Sequence, residues 1–154
     1  MRKFLSIPVV VVALFVGVTT QARASTGIAS GTFSFVSDDV EFRGVLGANL
    51  VFSEVAVIAY DGGLSGVATD TDTLIVHPDG SYSSHGTENC TLCTLGGHRG
   101  SFTSSFVFSG SGASYQGALT FTGGTGGLAG LHGGGPFQGD ENGNTYSYAY
   151  SMVG

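Results

Sequence analysis

From residue 25 onward, hydrophobic and polar residues alternate with a period of two through most of the chain. The segment SFTSSFVFS places Phe102, Phe106 and Phe108 on one face and small polar residues on the other. The same alternation recurs in the segments GTFSFV, NLVFSEVAVIAY, VATDTDTLIV, YQGALTFT and NTYSYAYSM. Such alternation, rich in aromatic and β-branched residues, is typical of β-strands, and no segment after residue 25 keeps the period of a helix. The pattern predicts an all-β protein.

Short turn sequences rich in glycine separate these segments. They include Asp61-Gly62-Gly63, Pro78-Asp79-Gly80, Gly110-Ser111-Gly112 and Asn142-Gly143, and their glycine and asparagine residues accept the positive φ of tight hairpins. About eight strands joined by such hairpins predict an antiparallel up-and-down β-barrel. A small β-sandwich is the alternative architecture.

The segment FTGGTGGLAGLHGGG, from Phe121 to Gly135, is the most glycine-rich part of the chain. A phosphate-binding loop requires a following helix and usually a Lys, whereas no Lys occurs after residue 3 and no helical pattern follows. We therefore expect residues 123–126 to form a tight connection, and the next strand region to run from Leu128 to Phe137.

The sequence TGGTGGLAGLHG, from Thr122 to Gly133, resembles the strand–turn–strand signature of allene oxide cyclases, and GGTG segments also occur in plant dirigent proteins. The run Gly97-His98-Arg99-Gly100-Ser101-Phe102 is similar to one that precedes the glycine segment in small bacterial domains of unknown function. All belong to the allene oxide cyclase-like barrels, which include spirotetronate cyclases. The resemblance covers residues 80–154 and implies a barrel with about eight strands.

The resemblance also implies a pocket inside the barrel, lined mainly by apolar and aromatic side chains. The cyclases hold a flexible substrate in one reactive shape, which removes part of the entropic barrier, and dirigent proteins orient radicals made elsewhere. The candidate ligand-binding residues here are Phe102, Phe106, Phe108, Tyr115, Leu119, Phe121, Tyr146, Tyr148 and Tyr150. The alternative is that these side chains fill the core completely, as they can in a small barrel.

The first residues have the features of a signal peptide. Arg2 and Lys3 precede an apolar run, and Ala22-Arg23-Ala24 forms an A-x-A cleavage site before Ser25. The apolar run is shorter than the roughly 20 residues of a membrane-spanning helix. We therefore predict a signal peptide at residues 1–24, a single domain at residues 25–154, and a secreted or periplasmic protein.

Charge narrows the choice of partners. The whole chain has a net charge of −6, and removal of Arg2, Lys3 and Arg23 leaves Arg43 and Arg99 against 11 acidic residues, a net charge of −9. Because binding to phosphate backbones and anionic lipids depends on clustered Lys and Arg, we expect no nucleic-acid partner and no stable membrane insertion after cleavage. The sequence is compatible with a homo-oligomer. Because it contains no cofactor motif, we expect no cofactor.

The only two cysteines form the sequence Cys90-Thr91-Leu92-Cys93. In an exported protein a disulfide bond is the default expectation. One alternative is a zinc site in which His85 and His98, which flank the pair, complete a Cys2His2 set. Another is a redox-active pair, although the βαβ context of thioredoxin-like proteins is missing.

Two further sets of acidic residues could carry chemistry. Glu54 lies in NLVFSEVAVIAY on the same face as Phe52 and Ile58; facing inward, it would be desolvated, with a raised pKa, and could act as a general acid or base. The opposite face is equally apolar, so Glu54 could instead be exposed. The segments Asp70-Thr71-Asp72 and 140–144 contain oxygen ligands for calcium, but solvated turns explain them better.

Three functional classes follow from these observations. The first is an exported barrel that binds or sterically steers a small hydrophobic molecule. The second is a cyclase or isomerase that uses the same cavity and works mainly by controlling substrate conformation, with Glu54 as its catalytic residue. The third is a small outer-membrane barrel, in which aromatic side chains face lipid and Ser and Thr face the lumen.

Overall fold

The computed structural model describes residues 24–153, so the predicted signal peptide and cleavage site fall largely outside the described residues. Eight β-strands account for nearly all of this range. They are β1 (Ala24–Leu46), β2 (Asn49–Gly62), β3 (Leu64–Val76), β4 (Ser81–Leu95), β5 (His98–Ser111), β6 (Ser114–Gly126), β7 (His132–Asp140) and β8 (Gly143–Val153). No helix occurs in residues 24–153, which confirms the all-β prediction.

The eight strands form one closed antiparallel barrel in up-and-down order. Each strand pairs with the next along the chain, and the ring closes where β1 pairs with β8, from Ala24 opposite Val153 to Phe33 opposite Asn144. The predicted barrel is therefore confirmed, and the alternative of a β-sandwich is wrong. Closure gives the backbone groups of β1 and β8 hydrogen-bonding partners that an open sheet would leave exposed.

The alternation of side chains along each strand separates the interior of the barrel from its surface. On β5, Phe102, Ser104 and Phe106 are buried, while Thr103 and Ser105 are exposed. On β8, Tyr146, Tyr148 and Met152 are buried in the same way. The interior is thus the aromatic face that the sequence pattern separates from the Ser and Thr positions.

The end of the barrel where β1 begins and β8 finishes is filled with side chains, and we call it the closed end. Leu64, Leu95 and Leu128 have no exposed surface, and Leu131 and Met152 are 3% and 2% exposed. Phe102 and Phe121 pack edge to face beside them, with ring centroids 5.3 Å apart. Such packing is that of an ordinary protein core.

The glycine-rich segment closes this end in a way that differs from the prediction. Residues 123–126 belong to β6 rather than to a connection, and the turn comes later, at residues 127–131. The backbone of this turn is hydrogen-bonded to the barrel, because Gly127 N donates to Arg99 O at 2.8 Å. Leu128 lies in the turn rather than in a strand, and its side chain is completely buried at the closed end. A side chain at Gly124 would collide with the Leu128 backbone, so glycine there permits the close approach.

Cys90 and Cys93 form a disulfide bond, with Cα atoms 6.0 Å apart. Cys90 lies opposite Phe102 on β5 and Cys93 opposite Gly100, so β4 carries one residue more than β5 between them, a β-bulge. The disulfide thus spans a bulge at the closed end. The alternative zinc set with His85 and His98 is wrong, because disulfide sulfurs are not the thiolates that zinc requires.

At the opposite end, which we call the open end, β1 continues beyond its pairing with β8, while β2 stays paired with β3. Residues 34–46 of β1 pair with β2 but have no partner on β8, whose pairing with β1 finishes at Phe33. Several large apolar side chains of this hairpin are exposed, among them Val36, Val40 and Phe42. The only described salt bridge, between Arg43 and Glu41 at 2.9 Å, is also here and is exposed.

Candidate functional site

A cavity of about 270 Å³ occupies the open half of the barrel interior. Val76 at the end of β3, Tyr82 at the start of β4 and Gly112 in the β5–β6 turn line its mouth, which fixes the end at which it opens. Tyr60 and Tyr148 are buried and also line it. Tyr148 contacts Phe121 of the closed-end core, with centroids 5.8 Å apart, and thus marks the boundary between cavity and core.

One wall of the cavity is aromatic and centres on Phe137 of β7. Its ring lies 6.2 Å from that of Phe33, 6.5 Å from Phe106, 6.3 Å from Phe108 and 6.4 Å from Tyr115, centroid to centroid. These rings come from β1, β5, β6 and β7, which places them on one side of the barrel. They present a continuous apolar surface to the cavity.

The other wall carries four carboxyl groups. They belong to Glu54 on β2, Asp70 and Asp72 on β3, and Glu88 on β4, all of which line the cavity. The strand register explains the cluster, because Glu54 lies opposite Asp72 and Asp70 lies opposite Glu88. Inward-facing side chains at opposed positions of neighbouring strands are close neighbours. We call these four residues the acidic wall.

Hydrogen bonds satisfy only part of the acidic wall. The Tyr60 hydroxyl donates to Glu88 Oε2 at 2.7 Å, and the Ser104 hydroxyl donates to Glu88 Oε1 at 3.4 Å. The Ser84 hydroxyl donates to Asp72 Oδ2. Asp70 Oδ1 and Asp72 Oδ1 are buried and receive no hydrogen bond from any described residue. The wall therefore holds two oxygens that no hydroxyl or N–H group of the described residues reaches, although Asp70 and Glu88 can share a proton with each other.

Burial and mutual repulsion favour the neutral form of these carboxyl groups. Desolvation and the neighbouring Glu88 raise the pKa of Asp70 to about 9. Desolvation, with repulsion from Asp72 and Asp38, raises the pKa of Glu54 to about 7. Desolvation also raises the pKa of Asp72 and that of Glu88. Without a bound cation, Asp70 is therefore protonated at neutral pH and Glu54 is protonated in part, because each charge removed lowers the electrostatic cost.

The structure distributes the residues predicted for the site between the two halves of the barrel. Glu54 points inward and lines the cavity, and so do Phe106, Phe108, Tyr115, Leu119 and Tyr148. Phe102, Phe121 and Tyr146 are buried but lie outside the cavity lining, and Tyr150 is half-buried and also outside it. Five of the nine predicted ligand-binding residues therefore face the cavity.

The sequence analysis missed several lining residues, above all Asp70, Asp72 and Glu88. We expected Asp70 and Asp72 to lie in a solvated turn, and that expectation is wrong. They lie in the middle of β3 and are only 9% and 7% exposed. A signal was present, because they share a face with Ala68 and Leu74. Phe33, Tyr60 and Phe137 were missed as well, although each lies on the apolar face of its strand.

Residues 24–153 offer no obvious place for a metal ion. No group of three or more His, Cys, Asp or Glu side chains in this range has an arrangement that could hold one. Nor does any helix in the described range have the length and apolarity to span a membrane.

The fold and cavity place the chain among all-β proteins built as a closed antiparallel barrel of eight strands. A solved structure of a protein of unknown function from the DUF3224 family, from Shewanella oneidensis MR-1, is similar, with a TM-score of 0.71. The likeness covers 84% of this chain and 100% of the other at 16% identity, so it shows the fold alone. No family model and no curated protein matches the chain. The relationship to allene oxide cyclases stays a prediction.

Proposed function

We propose that this barrel binds a small hydrophobic molecule in the cavity at its open end. The observation that carries the proposal is the cavity itself, about 270 Å³ with an aromatic wall, since ligand sites are typically concave, mainly apolar and equipped with a few polar groups. The closed end of the same barrel is packed without comparable space. The space left between the side chains at one end favours binding over simple core filling.

The acidic wall supports the same proposal. Burying Asp70, Asp72 and Glu88 costs free energy that apolar residues at these positions would not incur. Titratable groups with strongly perturbed pKa values in a cleft are common at functional sites. A polar group of a bound molecule would give these carboxyl groups the partners that the protein lacks.

A second candidate function is an isomerase or cyclase that uses the same cavity. Glu54 favours it, because its pKa of about 7 suits a group that both donates and accepts a proton near neutral pH. It lies on β2 and lines the cavity together with the apolar residues Phe35, Leu74 and Val76. Restricting the conformations of a flexible substrate between the aromatic and acidic walls would supply the rest of the acceleration.

We further propose that the protein acts outside the cytoplasm, as the predicted signal peptide indicates. The Cys90–Cys93 disulfide supports this location, because disulfides persist mainly in oxidising compartments.

Blocking the cavity mouth tests the binding proposal. Val76→Trp would place an indole in the mouth, and we expect it to weaken the binding of prodan, a neutral naphthalene fluorophore, by at least about 10-fold. Val107→Trp makes the same change on the outer surface, where the side chain is 57% exposed, and should leave prodan binding intact. Equal binding by both variants and the wild type, or no binding by any, would contradict the proposal.

For the second candidate, Glu54→Gln separates binding from turnover once a ligand extracted from the protein is in hand. A cyclase or isomerase should keep its affinity for that compound and lose conversion, measured by chromatography of the products. Conversion unchanged in Glu54→Gln would remove Glu54 from the mechanism.

A further inference from the structure

We infer that the natural ligand is a hydrophobic amine, bound as its cation with the ammonium group on the acidic wall and the apolar body against the aromatic wall. The inference rests on the proposed function and names its ligand class. It is drawn from three features of the cavity, which are its unbalanced charge, its unpartnered acceptor atoms and the chemistry of the opposite wall.

The first feature is the absence of a counter-ion. Four carboxyl groups line the cavity, whereas no Lys, Arg or His among the described residues lines it. After residue 23 the chain contains only two strong bases, Arg43 and Arg99. Arg43 pairs with the exposed Glu41, and Arg99 lies exposed beside the closed end. Buried carboxylates are normally paired, so either protons or a ligand must supply the positive charge.

The second feature is the pair of acceptor atoms that no donor reaches. Asp70 Oδ1 and Asp72 Oδ1 are buried without a hydrogen-bond partner among residues 24–153, and their side chains are more than nine-tenths buried. They are two positions apart on β3 and therefore on one face. An ammonium group has up to three donors and no acceptor, so it complements these two oxygens once the carboxyl groups have released their protons. Such bonds between opposite charges are stronger than neutral ones.

The third feature is the wall that faces these carboxyl groups. Phe33, Phe106, Phe108, Phe137 and Tyr115 present rings to the same cavity. The faces of aromatic rings attract cations, and their area accommodates an aliphatic or aromatic body. An anionic or strongly polar ligand would gain nothing from this wall and would be repelled by the other. After residue 23 the chain has 11 acidic residues and only two arginines, and this negative net charge adds a long-range attraction for cations.

Protons compete with the amine for the same positions, which gives the inference a pH signature. In the empty cavity the carboxyl groups hold protons up to about pH 7 at Glu54 and about pH 9 at Asp70. Binding of a cation should release those protons, so its affinity should increase from about pH 6 to pH 9, where an alkylamine is still charged. The two other members of the wall, Asp72 and Glu88, also have raised pKa values. The titratable groups that face the wall are Asp38, Tyr60, His85 and Tyr148.

A matched series of probes separates the ligand classes. We would measure by calorimetry the binding of 4-phenylbutylamine, 4-phenylbutanol and 4-phenylbutyrate, which share one apolar body and differ in the head group. At about pH 8 we expect the amine to bind at least about 10-fold more tightly than the alcohol, and the acid to bind least. Amine binding should release protons, which appears as a dependence of the measured heat on the buffer.

The outcomes distinguish failure of this inference from failure of the proposed function. An alcohol that binds as tightly as the amine, or an affinity for the amine that falls between about pH 6 and pH 9, would overturn the amine as ligand class and leave an apolar binding site. No binding of any of the three probes or of prodan would overturn both. Tight amine binding with proton release supports both.

Variants locate the ammonium group. The double variant Asp70→Asn, Asp72→Asn keeps the shape of both side chains and removes their charge, and should abolish the preference for the amine while alcohol binding persists. Asp39→Asn makes the same chemical change at an exposed position of β1 and should retain the full preference. A preference that survives the double variant, or one that is lost with Asp39→Asn, would contradict the assignment.

Discussion

The two ends of this barrel are built from the same eight strands, but one end is packed with side chains and the other encloses a cavity. At the closed end, Leu64, Leu95 and Leu128 are completely buried, a disulfide spans the bulge in β4 and the turn at residues 127–131 covers the interior. At the open end the strands enclose a cavity of about 270 Å³ between aromatic rings and carboxyl groups. The first arrangement is that of a core, and the second is the cavity in which we propose that a ligand binds.

The comparison separates, along the barrel axis, the packing that stabilises the ring from the cavity to which we assign the proposed function. Apolar packing at the closed end stabilises the closed ring. The open end lowers the free energy of unfolding instead, because its carboxyl groups are desolvated and its interior is incompletely filled. That separation allows the residues of the cavity to change with the ligand while the closed end maintains the fold.

Removing the same side-chain atoms at each end should give the largest contrast. Leu64→Ala at the closed end leaves a hole in a packed core and should lower the free energy of unfolding by about 3 kcal/mol. Leu74→Ala only enlarges an existing cavity from its half-exposed rim and should cost less than about 1 kcal/mol. Urea unfolding of both variants measures the difference, and equal losses would contradict the division between the ends.

The acidic wall should make the protein less stable as pH rises. In the folded state the pKa of Asp70 is about 9 and that of Glu54 about 7, whereas unfolding returns both to their usual values near 4. Between these values the folded state binds more protons, so the free energy of unfolding is highest at acid pH and falls as the carboxyl groups ionise. We expect a loss on the order of 5 kcal/mol from pH 5 to pH 9, most of it from Asp70.

Replacing Asp70 with asparagine should reduce the dependence of the free energy of unfolding on pH. Asp70→Asn removes the group with the higher pKa and should make unfolding by urea less sensitive to pH, whereas the exposed control Asp39→Asn should keep the slope of the wild type. Stability that rises with pH in the wild type would show that the carboxyl groups are ionised in the folded protein.

Breaking the disulfide should have a modest effect on stability and none on the cavity. The ring between Cys90 and Cys93 closes over a sequence separation of only three residues, so its loss should cost roughly 1 to 2 kcal/mol. The double variant Cys90→Ser, Cys93→Ser should therefore fold and bind prodan with unchanged affinity. A large loss of prodan binding in a folded double variant would show that the closed end also controls the open one.

Much of the fold could be predicted from local patterns. The alternation around Phe102, Phe106 and Phe108 assigns both a strand and its inner face, and the hairpin glycines space the strands for an up-and-down barrel. The glycine-rich segment was the exception, because glycine is suited to a turn and to close backbone contacts alike. Only packing against Arg99 and Gly100 decides that the turn falls at residues 127–131.

The candidate site was predicted only in part. Glu54 and five of the aromatic or aliphatic candidates line the cavity, since the inner face of a strand can be recognised from its apolar residues. The rule that charged side chains face water predicts exposed positions for Asp70 and Asp72, whereas both are buried. They are buried because they share the inner face of β3 with Ala68 and Leu74. Their proximity to Glu54 and Glu88 depends on the register between neighbouring strands, which no local pattern in the sequence contains.

The most direct test of the account is native mass spectrometry of the protein purified without detergent from its own host. We predict a defined adduct of one small hydrophobic molecule per chain, which Val76→Trp loses and Val107→Trp retains. Protein that carries no adduct and takes up neither prodan nor the phenylbutyl probes would contradict the central claim that the open end of the barrel is a binding site.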